Sequence, residues 1–224
     1  MNGGNPRSES RTEAAGRQSD NPKPTPAPHR TASVLPNPKS KIKNRKSDRA
    51  LFLDRDGTLI VDKVYLADPA GIEILPGVAD GLRHARALGY RLFLFTNQSG
   101  IGRGYHTIED THRVNARLEE VLGLPPPVFD EICIAPEAPG QPSLYRKPSP
   151  RFIQDMIAKY ALDPAQCVMV GDSAADLAAA LAAGIRPVAV RTGKIDPRTL
   201  PVIATHRIPV FENFAAFAAT LGAI

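Results

Sequence analysis

From residue 50 onward, short apolar runs rich in β-forming residues alternate with segments of helical character, and this alternation constrains the fold more than any other feature. The predicted strands are residues 50–53, 91–95, 128–135, 167–170 and 186–190. The predicted helices are residues 78–88, 108–122, 150–160 and 174–183. Such an order is typical of an α/β fold, a doubly wound and mostly parallel sheet with helices on both faces.

Two segments fit this pattern less directly. Residues 59–75 scatter their apolar side chains among polar ones, which favours a β-hairpin or flap. Beyond residue 190, we expect an edge strand over 202–208 and a final helix over 211–221.

The first 48 residues are rich in Pro, Ser, Asn, Lys and Arg and contain few large apolar residues, so we predict a disordered basic leader, 1–48, before a catalytic domain, 49–224. Residues 1–49 hold 11 of the 28 basic and 4 of the 23 acidic residues, which leaves the rest with 17 basic against 19 acidic. The nearly neutral net charge of this domain argues against a nucleic-acid partner. No secretory or membrane-spanning segment is recognisable, so we expect a cytoplasmic protein, with Cys133 and Cys167 as buried, reduced thiols.

Two carboxylates, Asp54 and Asp56, directly follow the first predicted strand, and Gly57 allows the chain to turn after them. Ligands in open α/β folds bind at the carboxyl ends of strands. Two acids so close together repel each other unless a cation or a proton lies between them. With Mg²⁺, one could attack a phosphorus atom while the other moves a proton. Solvated acids at a turn are the simpler interpretation of this pair alone.

Three further polar sites follow predicted strands or precede helices. Thr96, Asn97 and Ser99 form a turn that could hold phosphate oxygens, or an ordinary strand exit. Arg146 and Lys147 supply positive charge that would offset a transferring phosphoryl group. Asp172 could ligate Mg²⁺ with Asp176 supporting it one turn later, although these acids could equally cap the following helix.

The four sites, in this order and with helices between them, resemble the haloacid dehalogenase superfamily of phosphatases over residues 50–195. The resemblance implies that Asp54 is the nucleophile and that Asp56 is the general acid and base. It also implies that Mg²⁺ binds the Asp54 carboxylate, the Asp56 backbone carbonyl and the Asp172 carboxylate. Thr96 and Lys147 would bind the transferring phosphoryl group, and Asp176 would support the metal site indirectly.

The particular residues within these motifs resemble one subfamily of this superfamily. Arg55 between the aspartates, the run from Thr96 to Gly104 and Arg146-Lys147-Pro148 resemble the D,D-heptose 1,7-bisphosphate and histidinol phosphatases. Too few residues separate the motifs for a cap domain, which implies an open site. The heptose enzymes imply removal of the 7-phosphate, and Arg103 and Arg146 would suit the second phosphate of a bisphosphate.

The loop before Arg146 departs from this subfamily. Many members bind a structural Zn²⁺ there through cysteine and histidine, but residues 135–145 contain neither. We therefore predict Mg²⁺ without structural zinc.

Three other functions remain open from the sequence: a histidinol-phosphate phosphatase, a polynucleotide 3′-phosphatase and a non-catalytic phospho-acceptor module. Arg55 argues against the polynucleotide enzymes, which usually have leucine between the aspartates, and retention of Asp56 argues for turnover rather than phosphate storage. We expect a small phosphorylated metabolite as substrate, a monomer, and no membrane partner. His106, in a predicted loop, is interpreted as a surface residue.

Overall fold

The computed structural model describes residue 1, the backbone of residues 33–36, and residues 48–222. The strands in these residues are β1 (Ser33–Pro36), β2 (Ala50–Leu53), β3 (Arg91–Asn97), β4 (Glu131–Ala135), β5 (Cys167–Gly171), β6 (Arg186–Val190) and β7 (Val210–Phe211). The helices are α1 (Val78–Ala87), α2 (Ser99–Gly102), α3 (Ile108–Leu122), α4 (Arg151–Tyr160), α5 (Ala174–Ala183), α6 (Pro201–His206) and α7 (Phe214–Ala218). Short 3₁₀ turns occupy Pro69–Gly71, Pro164–Gln166 and Pro197–Thr199.

The strands of the described residues form one sheet in the order β1-β4-β3-β2-β5-β6-β7. Every neighbouring pair from β4 to β7 is parallel, and β1 alone runs antiparallel, so the predicted α/β fold with a mostly parallel sheet is confirmed. The chain winds outward from β2 in one direction through β3 and β4, and then returns to β5 on the other side of β2. The carboxyl ends of β2 and β5 therefore flank the point where the strand order reverses, which is where such sheets bind ligands.

The central strand β2 is buried on both faces, because its side chains alternate between two cores. Leu51 and Leu53 pack into the core beneath α1, α3 and α7. Phe52 lies in the opposite core beneath α4 and α5, where its ring stacks on that of Phe93 at 5.0 Å between centroids. This two-sided burial fixes the strand rigidly, and with it the position of Asp54 at its end.

Two helices that border the site carry complete capping boxes. Thr107 and Asp110 begin α3, and Ser173 and Asp176 begin α5, each pair satisfying backbone N–H groups that the first turn leaves free. Gly184 ends α5 in the left-handed conformation, at φ 73°. The predicted bounds of both helices are confirmed.

Four residues of the segment predicted to be a disordered leader form β1. Its backbone pairs antiparallel with the outer edge of β4, from Ser33 opposite Ile134 to Pro36 opposite Glu131. A proline is tolerated there because β1 is itself an edge strand. The rest of the predicted leader before residue 48 lies outside the described residues, apart from residue 1.

The prediction of an edge strand over residues 202–208 was wrong. Most of that segment is α6, which begins at Pro201, where the ring fixes a helical φ and the missing N–H is not needed. Its apolar residues Val202 and Ile203 pack against a small cluster around Leu177. The edge strand is β7, and α7 is shorter than the predicted final helix.

Residues 59–75 form the predicted flap. Ile60 and Ile74 make an antiparallel bridge, and the backbone N–H of Val61 donates to the Glu73 carbonyl oxygen at 2.9 Å. Within the described residues, the segments between the sequence motifs contain no cap domain. Cys133 and Cys167 are buried free thiols, as expected. No helix in the described part of the chain is long and apolar enough to cross a membrane.

Candidate active site

Three carboxylates meet at the carboxyl ends of β2 and β5. Asp54 directly follows β2 and is 7 % exposed, Asp172 directly follows β5, and Asp176 lies in the first turn of α5. One oxygen from each lies within 4.8 Å of the others. Hard oxygen ligands at this spacing suit a divalent cation such as Mg²⁺. No other group of three potential metal-binding side chains occurs in the described residues.

Lys147 is a buried cation at the centre of this acidic group. Its Nζ donates to Asp54 Oδ1 at 2.5 Å and to the Phe95 carbonyl oxygen at 2.7 Å, and lies 2.6 Å from Asp176 Oδ1. One lysine therefore joins the ends of β2 and β3 to the start of α5. Burial by itself lowers the pKa of Lys147, but the charges of Asp176 and Asp54 outweigh burial and raise it. The amine is thus held as an ammonium ion.

The pKa values of the Asp54 and Asp172 carboxyl groups are raised as well, which for an acid disfavours the charged form. Burial raises the pKa of Asp54, and although Lys147 opposes this, Asp176 and Asp172 add to it. Burial and the charge of Asp176 raise the pKa of Asp172 to about 7. Both shifts reflect negative charge crowded into a site with little water. A bound divalent cation would relieve this crowding, so the donor set fits Mg²⁺.

The loop after β6 closes one side of this group, a contribution that the sequence analysis did not assign. Thr192 Oγ1 donates to the Gly57 carbonyl oxygen at 2.6 Å. Gly193 approaches Asp172 so closely that a Cβ there would lie 1.8 Å from Asp172 Oδ2. Gly57, with φ 82°, also approaches this carboxylate, and a Cβ there would lie 2.6 Å from Asp172 Oδ2. The only sequence signal for this contact is a Thr-Gly pair just beyond a strand.

Asn97 holds Lys147 through the main chain. Asn97 Oδ1 accepts from the Lys147 N–H at 3.0 Å, and its Nδ2 donates to the Lys147 carbonyl oxygen at 3.1 Å. Both polar atoms of the side chain that we predicted to bind phosphate are therefore used to fix the lysine. Thr96 is almost fully buried near the end of β3.

Asp56 lies at the rim of the site and receives several hydrogen bonds. Arg55 Nε and Nη2 donate to its two oxygens at 3.0 and 3.2 Å, and Gln98 Nε2 donates to Oδ2 at 2.9 Å. The same Gln98 nitrogen lies 2.7 Å from Thr96 Oγ1, to which it donates. Gln98 lies within the run from Thr96 to Gly104, and its sequence position alone does not indicate this role.

Ser99 and Arg146 are partly buried, whereas Arg103 is exposed. Ser99 begins α2, and its carbonyl oxygen accepts from the N–H of Arg103, whose side chain is exposed. Arg146 Nη1 donates to the Glu137 carbonyl oxygen at 2.7 Å. Burial lowers the pKa of Arg146, and Arg103 lowers it further while Glu137 opposes.

The loop over residues 136–145 is tied to the rest of the site by main-chain contacts. The N–H of Gly102 donates to the Pro136 carbonyl oxygen at 2.8 Å. A Cβ at Gly102 would lie 2.8 Å from that same oxygen, so the loop packs directly on α2. Together with the hydrogen bond from Arg146, this contact holds both ends of the loop.

His106 was wrongly interpreted as a surface residue. It is 7 % exposed, and neither ring nitrogen finds a hydrogen-bond partner among the described residues. Its ring packs on Gly100, where a Cβ would come within 2.4 Å of it. Burial lowers the pKa of His106, and the charge of Arg55 lowers it further. No local pattern around His106 indicates this burial, because the ring is packed against Gly100 of α2 by the tertiary fold.

Comparison with known proteins agrees with this geometry. A family model described as HAD-hydrolase-like matches residues 144–217. The D-glycero-beta-D-manno-heptose-1,7-bisphosphate 7-phosphatase of Helicobacter pylori is 37 % identical over 144 residues, which are 62 % of this chain and 82 % of that protein. The protein of the same name from Pseudomonas putida is 33 % identical over 174 residues, 77 % of this chain and 99 % of that protein.

A solved structure is similar as well. The D,D-heptose 1,7-bisphosphate phosphatase from B. bronchiseptica, in complex with magnesium and phosphate, has a TM-score of 0.69 and is 30 % identical. The similarity covers 77 % of this chain and 97 % of that one.

The fold is that of a haloacid dehalogenase-like phosphatase, and the chain is an enzyme of that superfamily. Within the superfamily, it belongs to the family of the D-glycero-D-manno-heptose-1,7-bisphosphate 7-phosphatases.

Proposed function

We propose that this phosphatase removes the 7-phosphate from D-glycero-D-manno-heptose 1,7-bisphosphate through an aspartyl-phosphate intermediate. The substrate is suggested by the names of relatives that are 33 and 37 % identical. The observation that carries the proposed chemistry is the Asp54 carboxylate, held at 2.5 Å by Lys147 beside Asp172. Phosphoryl transfer depends mainly on positioning and charge neutralisation, and this group provides both.

Asp54 is the proposed nucleophile. One of its oxygens attacks phosphorus, and the bond from phosphorus to the sugar oxygen breaks as that oxygen takes a proton from Asp56. A water oxygen then attacks the phosphorus of the aspartyl-phosphate, the bond to the Asp54 oxygen breaks, and the water proton passes to Asp56. Asp56 suits both transfers because its side chain is 20 % exposed at the rim of the site.

Asp54, Asp172 and the backbone carbonyl of Asp56 are the proposed Mg²⁺ ligands, with Asp176 behind them. When bound, Mg²⁺ would neutralise charge on the phosphoryl oxygens. Asp176 is the least suited to direct ligation, because it already pairs with Lys147 at 2.6 Å and accepts from the Ser173 N–H and hydroxyl. We therefore assign it the role of fixing Lys147 and the start of α5.

Thr96, Lys147 and Ser99 are proposed to bind the transferring phosphoryl group. The ammonium of Lys147 supplies the charge and donates to the carbonyl oxygen of Phe95, the residue before Thr96 on β3. Asn97 acts on this group through Lys147, since its hydrogen bonds go to the lysine main chain.

Arg103 and Arg146 are proposed to bind the second phosphate, at C1 of the sugar. Both side chains carry a positive charge, and the charge of Arg103 contributes to the lowered pKa of Arg146. A phosphate bound by both would offset this repulsion. Arg146 is half-buried and fixed by its hydrogen bond to the Glu137 carbonyl oxygen, whereas Arg103 is exposed and free to move onto a substrate. Guanidinium groups bind phosphate oxygens through paired hydrogen bonds.

The loop over residues 136–145 is proposed to keep its shape without zinc. The contacts of Gly102 with Pro136 and of Arg146 with Glu137 hold it at both ends. We also propose that residues 49–224 contain all the catalytic residues and that the enzyme works as a monomer in the cytoplasm, since every proposed site residue lies between Asp54 and Asp176 of one chain.

The test is phosphate release with Mg²⁺ from three substrates in parallel: heptose 1,7-bisphosphate, histidinol phosphate and a 3′-phosphorylated oligonucleotide. We expect kcat/KM to favour the bisphosphate by about 100-fold or more, which is about 2.7 kcal/mol of transition-state discrimination. The Asp54→Asn variant should lose nearly all activity while remaining folded. Preference for either other substrate would overturn the assignment.

A matched pair of variants tests the second phosphate site. Arg146→Met should raise KM for the bisphosphate by at least about tenfold, because a charge-assisted hydrogen bond is worth about 1.5–3 kcal/mol. The same variant should leave kcat/KM for a small aryl monophosphate, which has no second phosphate, near the wild-type value. An equal loss on both substrates would contradict the role of Arg146.

A further inference from the structure

Arg55 is the largest fully buried side chain among the described residues, and its guanidinium lies beside the proposed active site. Burying an ion carries a desolvation penalty of several kcal/mol unless good partners compensate it. An apolar side chain of similar size would avoid this penalty. The charge of Arg55 therefore has a purpose that packing alone does not explain.

The Arg55 guanidinium connects two hydrogen-bond partners, Asp56 and Asn115. Nε and Nη2 bind the Asp56 carboxylate on one side, and Nη1 donates to Asn115 Oδ1 at 2.9 Å on the other. Asn115 is itself buried, on α3. The rigid helix thus holds the guanidinium, and the guanidinium holds the carboxylate.

Two donors from different elements determine the orientation of Asp56. Arg55 donates to both carboxylate oxygens from the interior. Gln98, which follows β3, donates to Oδ2 at 2.9 Å. These contacts leave Asp56 partly exposed, so that it can still reach a substrate oxygen or a water. A carboxylate at a loop position would otherwise rotate freely about its side-chain bonds.

The main chain of Arg55 has a separate task. Its carbonyl oxygen accepts from the N–H groups of Leu59 at 2.9 Å and Ile60 at 3.1 Å, which folds the turn after β2. That task does not depend on the side chain. Substitution of Arg55 therefore tests the guanidinium while the turn keeps its own hydrogen bonds.

We propose that Arg55, anchored by Asn115, is a positioning residue that holds the Asp56 carboxylate in line for both of its proton transfers. The inference rests on the proposed function, because it assumes that Asp56 is the acid and base. It adds a role for the residue between the two aspartates, and for a residue of α3 that lies 60 positions away along the chain.

The two steps can be separated by the leaving group. 2,4-Dinitrophenolate leaves without needing a proton, so formation of the aspartyl-phosphate from this aryl phosphate does not depend on Asp56. Its hydrolysis by water still does. An enzyme with a misplaced Asp56 should therefore release about one equivalent of dinitrophenol in a burst and then turn over slowly.

The experiment compares wild type, Arg55→Met, Asn115→Leu and Asp56→Asn in rapid-mixing assays on 2,4-dinitrophenyl phosphate and on an alkyl phosphate. Arg55→Met should show the burst with unchanged kcat/KM for the aryl ester, and about 100-fold lower kcat/KM for the alkyl ester. Asn115→Leu should show the same pattern more weakly. Arg83→Met, an exposed arginine on α1 paired with Asp80, is the matched control and should behave as wild type.

Each other outcome argues against the inference. Wild-type rates for Arg55→Met on both esters, or equal losses on both without a burst, would overturn it. If Arg55→Met does not fold, Arg55→Lys and Asn115→Leu are judged by the same criteria. Failure of wild type on heptose bisphosphate, which is a separate experiment, refutes only the proposed substrate. The absence of a burst in Asp56→Asn refutes the role of Asp56 and overturns the inference with it.

Discussion

Replacing Gly193 by alanine tests how closely the loop after β6 presses on Asp172. The new Cβ would lie 1.8 Å from Asp172 Oδ2 and 2.6 Å from Asp172 Cβ. Rotation of the Asp172 carboxylate alone therefore cannot relieve the clash, and the residue must shift. Overpacking of this kind lowers the free energy of unfolding by about 1–3 kcal/mol. Displacement of a catalytic group by about 1 Å costs about 100-fold in rate. We expect both effects.

Gly57→Ala combines the same contact with a backbone penalty. Its Cβ would lie 2.6 Å from Asp172 Oδ2, and its φ of 82° is strained for any residue with a Cβ. The left-handed backbone costs alanine about 1–2 kcal/mol in addition to the overpacking. The free energy of unfolding should therefore fall by about 2–5 kcal/mol in total. Gly123→Ala is the matched control, because φ is 61° there but nothing lies within 4 Å of the new Cβ.

The assay is urea unfolding of the three variants, together with phosphatase activity titrated with Mg²⁺. In Gly123→Ala the free energy of unfolding should fall only by the cost of the left-handed backbone, about 1–2 kcal/mol, and the activity should stay at the wild-type level. Gly193→Ala and Gly57→Ala should need more Mg²⁺ for half-maximal activity. If Gly193→Ala is within about 0.5 kcal/mol of wild type and responds to Mg²⁺ as wild type does, the close approach to Asp172 is wrong.

Three further outcomes are expected. Lys147→Met should abolish activity and lower the free energy of unfolding by about 3–5 kcal/mol in urea, because it leaves two carboxylates buried without their cation; a stable, active variant would contradict the geometry. Asn97→Ala should reduce the same free energy by about 1–3 kcal/mol and reduce kcat, since the main chain of Lys147 loses both of its side-chain partners. Burial raises the pKa of Cys167 to about 12, so the unfolded chain releases this proton first as the pH rises. The free energy of unfolding should therefore fall between pH 9 and 12 by up to about 1.4 kcal/mol per pH unit, and Cys167→Ala should show a smaller slope in pH-dependent urea titrations.

The strands and helices that position the site were predictable because their patterns are strong and local. Strand β2 is four apolar residues followed by an acid, and α5 is an alanine-rich run between a capping serine and a glycine. The meeting of Asp54 with Asp172 followed from the rule that parallel strands bring their carboxyl ends to one edge.

The remaining features depend on contacts between distant parts of the chain. Residues 202–208 contain enough β-branched residues to suggest a strand, but Pro201 and packing on α5 favour a helix. The burial of His106 depends on how α2 lies over it. The double hydrogen bond of Asn97 joins residues 50 positions apart, so a strand-ending asparagine gave no indication that it serves Lys147.

The pairing of β1 with β4 has a practical consequence for handling the protein. A chain shortened to begin at residue 48, the boundary that composition alone recommends, would leave the outer edge of β4 as a row of unpaired N–H and C=O groups. Such an edge is a template for any extended peptide, including another copy of itself. The shortened chain should therefore self-associate as its concentration rises, and light scattering of the two lengths side by side would reveal it. The residues of β1, which contain no proposed catalytic group, would then protect the enzyme against aggregation.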